Sequence, residues 1–224
     1  MLTDDGIVGG YGYSEGLSGR MGAGDLILAV VSTQGRTVGR YAIQRHSRSE
    51  EHELDTPVAR GIMYQAERRL FVVRVSGGAV RRSHEKWWLL DSSTGECVGV
   101  VDPLEKVQSN STLRQSLGAC EIRGTPLILA HWYSFDDHLD SRGARFIVYD
   151  KLWAPVWILE LPAVYDEVGA INSVFPFGSS TMGVSSDSTG EFSIRVAGDN
   201  ARRTFRVIAD SSFGPGWRVV EVDG

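Results

Sequence analysis

Potential metal ligands are densest at His131, Asp136, Asp137, His138 and Asp140, where imidazole and carboxylate groups suit zinc or another divalent ion. The DDHLD spacing matches no established metal motif, and His131 stands inside the apolar run LILAHWY, where a core histidine is the competing reading. His131, Asp136 and His138 are the metal candidates on these grounds, and no cofactor is expected. A second chemistry is basic. Arg81 and Arg82 with His84 and Lys86, then Arg142 and Arg145, then Arg202, Arg203 and Arg206 stand where loops lead into apolar runs. Guanidinium forks bind carboxylates and phosphates bidentately, so arginines gathered at one end of a fold suit an anionic ligand. Simple solvation of strand ends is the competing reading, and Asp136, Asp137 and Asp140 would partly neutralise the patch.

Hydrolysis of sugars asks for two carboxylates facing one another across a pocket. Of the runs GIMY, ACEI and SVFPF, which read as inner strands, only ACEI carries an acid, Glu121. No catalytic residue is assigned. The loops DSSTGE at Asp91 and DSTGE at Asp187 begin as calcium loops do but lack the later ligands, so they read as turns. Asn110, Ser111 and Thr112 spell a glycosylation acceptor, relevant only in a secreted protein. The tryptophans Trp87, Trp88, Trp132, Trp153, Trp157 and Trp217 could stack on sugars, although aromatic residues on alternating strands usually fill the space between sheets. Trp153, in the KLWAP turn, is expected to be exposed.

The elements that must position these groups repeat. Four segments share an apolar strand, a polar turn and a second apolar strand: Leu26 to Ile43, Lys86 to Val101, Arg145 to Leu161 and Thr204 to Val222. An acid closes the first strand at Asp91, Asp150 and Asp210, at steps of 59 and 60 residues. Gly35 and Gly95, Pro155 and Pro215, and Trp157 and Trp217 are each 60 apart. Shorter apolar runs precede two of these hairpins, GIMY with LFVVRV and ACEI with LILAHWY, which makes four strands per period. The stretches Asp102 to Leu117 and Ser47 to Leu54 are the best helical candidates, yet both are polar and fall where connections belong. A four-stranded meander has two faces to cover, so recurring units must stack on one another. The expected fold class is all-β, a β-propeller or partial propeller of four-stranded antiparallel blades with a period of about 60 residues. A β-sandwich competes, but its strands need not recur at a fixed period.

With 224 residues, 42% of them hydrophobic, the chain can bury a substantial core. A net charge of -5 makes nucleic acid an unlikely general partner. Cys97 and Cys120 are too few for a disulfide framework and are expected to be buried thiols. The first residues hold two acids where a signal peptide would be positive, and no apolar run reaches about 18 residues. A cytoplasmic location without membrane association is the expectation.

The run LLDSSTGECVGVV resembles the outer hairpin of WD-type and quinoprotein-type propeller blades. The Gly-His and Trp-Asp pairs of the first family and the Trp-Gly spacing of the second are absent, so no binding residue carries over. The expected organisation is a glycine-rich segment 1–24 followed by a repeat domain 25–224, with units near 25–45, 58–102, 115–162 and 168–222. One outer hairpin and three fuller units leave the ring short of four blades. The chain is therefore expected to belong to a larger parent or to a homo-oligomer, unless a surplus strand near 173–177 or the glycine-rich start closes it. The expected function is a non-catalytic binding or scaffolding module for a protein or anionic ligand at Arg81, Arg82, Arg142, Arg145, Arg202 and Arg203. The alternative is part of a propeller hydrolase or lyase whose catalytic residues lie partly elsewhere.

Overall fold

The computed structural model describes residues 7–13, 25–43, 57–76, 85–107, 113–135, 141–162, 183–186, 188–195, 202–214 and 216–222. These form strands β1 (Ile7–Tyr13), β2 (Leu26–Ser32), β3 (Thr37–Ile43), β4 (Val58–Gln65), β5 (Leu70–Ser76), β6 (Lys86–Asp91), β7 (Cys97–Val101) and β8 (Leu113–Glu121). They continue with β9 (Ile128–Phe135), β10 (Ser141–Tyr149), β11 (Pro155–Pro162), β12 (Gly183–Ser185), β13 (Glu191–Arg195), β14 (Arg202–Ala209) and β15 (Trp217–Val222). No helix occurs among the described residues. Each sheet is an antiparallel meander of chain neighbours: β1 to β3, β4 to β7, β8 to β11 and β12 to β15. The described fold is all-β, and each sheet has the antiparallel meander form of a propeller blade.

The chain divides into two compact units, Met1–Pro103 and Leu104–Gly224. In the first, alternate residues of β2 (Leu26, Leu28, Val30) meet alternate residues of β5 (Phe71, Val73, Val75) and Leu90 of β6. A period of two places each trio on one face, and burial of each such side chain contributes about 1.5–3 kcal/mol. All seven residues of β5 are buried, so both faces of that strand are covered.

The glycine-rich segment 1–24, expected to stand apart from the repeat, supplies β1, which pairs with β2 from Ile7↔Ser32 to Tyr13↔Leu26. Glycine weakens a strand in general, but here it is needed. A Cβ on Gly9 would lie 2.6 Å from Cδ1 of Phe71, so the ring packs directly on the backbone. Likewise a Cβ on Gly39 of β3 would collide with the backbone of Thr94 and Gly95, and one on Gly95 with that of Gly39.

The second unit is filled by aromatic rings. Ile122, Leu127, Leu129, Phe146 and Val148 pack with Phe192, Ile194, Phe205 and Val207. Phe192 and Phe205 stack at 5.2 Å, and Trp157 leans on them at 5.6 and 5.0 Å. The last sheet has four strands among the described residues, and SVFPF (173–177) lies outside them.

One device closes the outer turn of every sheet. Asp91 Oδ1 accepts from the backbone N–H of Ser93 and Thr94, Asp150 Oδ1 from Leu152 and Ala154, and Asp210 Oδ1 from Ser212. In the first sheet Ser32 takes this place, its Oγ accepting from Arg36 N–H at 3.2 Å. Ser32 precedes Asp91 by 59 residues, so the repeat extends to all four sheets. Gly35 and Gly95 adopt φ of 78° and 72° in these turns, the left-handed region that glycine enters without steric penalty.

Candidate functional site

The arginines placed in loops by sequence are in strands where they are described. Arg142 and Arg145 belong to β10, and Arg202, Arg203 and Arg206 to β14. Arg81 and Arg82 lie outside the described residues. Arg145 stands opposite Glu160 and contacts it at 2.6 Å. Arg203 grips Glu221 with Nε and Nη2, both at 2.7 Å, and its guanidinium lies 5.4 Å from the centre of the Phe205 ring. The bidentate pair holds the Glu221 carboxyl below its usual range and raises Arg203. Arg206 stands opposite Glu191 and donates to it at 2.9 and 2.6 Å, and with a further bond from Ser188 this lowers the Glu191 carboxyl. Arg202 is exposed at the start of β14. Three of these guanidinium groups thus join neighbouring strands.

His131 is buried on β9 and stacks on Phe146 of the adjacent strand, with centroids 4.4 Å apart and planes within 15°. Burial pushes its pKa down to about 3, so the imidazole is neutral. Asp136 and His138 lie outside the described residues, and no metal-binding cluster of three groups occurs among those described. Cys97 and Cys120 are free and half-buried, and burial raises the Cys120 thiol to about 11.

A buried charged group in the first unit was missed by sequence reasoning. Arg74 of β5 is almost fully buried, and its Nη2 donates to the Arg60 carbonyl at 3.0 Å. Burial lowers its pKa, and the charge of Glu85 opposes that shift. Glu85, fully buried, accepts from Trp87 Nε1 at 2.7 Å, while Arg60 Nε donates to Ser76 Oγ at 2.7 Å. Gly61 leaves room for the guanidinium, since a Cβ there would overlap Arg74 Nη2. The available signal was an arginine within the apolar run LFVVRV. A second unread feature is GYSEG (Gly12 to Gly16), which has the G-x-S-x-G spacing of a hydrolase nucleophile elbow. Gly12 and Tyr13 belong to an antiparallel strand rather than one feeding a helix, and Ser14 lies outside the described residues.

The outer turns display apolar side chains. Leu152 is 66% exposed and Phe213 46% exposed, each in a turn held by its aspartate. Lys106 Nζ donates to the Leu152 carbonyl at 3.0 Å and further fixes that turn. Trp153, expected to be exposed, is buried. It adopts φ of 60° and donates its N–H to Asp150 O, and a left-handed residue redirects its side chain in a way that turn membership alone does not reveal.

No protein family model matches the chain, and no curated protein matches it. Among solved structures it is similar to the β-propeller domain of the Trilobed protease from Pyrococcus furiosus, at 9% identity and TM-score 0.45, over 100% of this chain and 55% of that one. The chain thus spans about half the length of that neighbour. Hsv2 of Kluyvelomyces marxianus matches at 9% identity and TM-score 0.25, over 100% of this chain and 83% of that one.

Proposed function

We propose that the chain is a non-catalytic binding or scaffolding module whose outer turns meet a protein partner. The observation that carries this reading is the contrast within those turns, which are locked by hydrogen bonds yet hold Leu152 and Phe213 out to water. A preorganised loop loses little conformational entropy on binding, and exposed large apolar side chains supply the contact area. A protein is favoured over a small anion because Arg145 and Arg203 already hold Glu160 and Glu221, which an anion would have to displace.

Replacing Leu152 and Phe213 together by Asp should leave the melting temperature unchanged within a few degrees, since both are exposed. The proteins retained from an extract of the source cells should fall away. An unchanged retained set at equal stability rejects the reading. The anionic version has its own test, in which affinity for heparin should fall as salt rises and vanish when Arg82, Arg142 and Arg203 become Ala.

A further inference from the structure

The outer strands of the four sheets differ in how they guard their edges. A strand at a sheet edge presents a row of backbone N–H and C=O groups that can template a further strand, and proteins blunt such edges with charge or proline. β3 carries Arg40, β11 carries Pro155, Glu160 and Pro162, and β15 carries Arg218 and Glu221. β7 reads CVGVV and has neither. It lies at the edge of its sheet among the described residues, with Val98 56% and Val100 46% exposed. A register shift between Leu89 and Leu90 leaves Val98 unmatched between Cys97 and Gly99, and pairing with β6 is regular from Gly99 to Val101.

The ends of β7 say what fits it. Exposed Glu96 precedes the strand and Asp102 follows it, so an apolar edge is closed by an acid on either side. We propose that β7 is a docking edge for an extended segment of another protein, which adds as a fifth strand with alternating apolar side chains and a Lys or Arg at each end. Backbone hydrogen bonds would supply affinity and the flanking charges would set register. A second copy of this chain fits poorly. Two-fold antiparallel pairing about Gly99 would match Val98 with Val100 but would set Glu96 against Asp102 of the copy. The residues involved differ from Leu152 and Phe213, and either assignment can fail without the other.

The test uses the whole chain and two synthetic peptides, Lys-Val-Thr-Val-Thr-Val-Lys and the same sequence with Glu at both ends. Fluorescence anisotropy should show the basic-ended peptide binding about ten-fold more tightly at low salt, with the difference shrinking as salt rises. Amide hydrogen exchange on the unmodified protein should slow at residues 97–101 when that peptide is added. Val98→Lys with Val100→Lys should abolish binding while Leu152→Asp with Phe213→Asp leaves it intact. Absence of binding, equal affinity for both peptides, or protection located outside residues 97–101 overturns the proposal. So does concentration-dependent dimerisation that V98K with V100K removes, which would assign the edge to a second copy.

Discussion

The two units differ in what dominates their packing. In the first, backbone meets side chain or backbone directly, with Phe71 on Gly9 and Gly39 against Gly95. In the second, large rings fill the gap between sheets, with Phe192, Phe205 and Trp157 in mutual contact. A close approach fails when volume is added and a ring cluster fails when volume is removed, so the same meander tolerates different substitutions in each unit.

The largest effect should come from emptying the aromatic core. Phe192→Ala should cost about 3–5 kcal/mol in urea unfolding of the second unit, and a loss under about 1 kcal/mol would show that the ring cluster is loosely packed. Gly95→Ala should cost about 2–4 kcal/mol, combining a backbone collision with the left-handed φ of 72°, and the same change at exposed Gly35 should cost only the conformational part. Equal losses at the two glycines would mean that the contact with Gly39 contributes nothing.

Acid should weaken the second unit through His131. His131 stays neutral in the folded state down to about pH 3, while an unfolded chain protonates its histidine below about 6.5. Between those values the unfolded state binds more protons, so stability falls as pH drops, by up to about 1.4 kcal/mol per pH unit. Thermal melts from pH 6.5 to 4.5 should show this slope, and His131→Phe should flatten it. A variant slope equal to that of the unmodified chain would remove His131 as its source. The smallest effect is expected at the surface, where Asp210→Ala should lower the melting temperature only slightly through loss of the turn cap, and Arg203→Ala should cost less than about 1 kcal/mol because Glu221 is well exposed.

Sequence revealed the meander and its period because turn chemistry is local: an aspartate can cap its own turn only from a fixed position. Ser32 escaped notice since a hydroxyl performs the same task with a different residue type. β1 was set apart from the repeat because the need for Gly9 comes from Phe71, a partner more than 60 residues away in the chain. Arg74 and its glycine Gly61 were missed for a related reason, since adjacency across two strands leaves no mark on spacing along either. For the candidate site, the arginines could be located but their cross-strand glutamates could not, because register decides which acid faces which base.

The capped turns also bear on how the chain reaches its structure. Each joins two strands across only four to seven residues, so the loop-closure entropy of an outer hairpin is small. Hairpins of this kind form in about 1–10 μs, well before strands of different sheets must find one another. Four such turns give the chain four independent starting points, from which the inner strands can add in sequence order. An all-β protein with such local connectivity has a low contact order for its class and should refold faster than a sandwich of equal length whose strands pair across long crossovers.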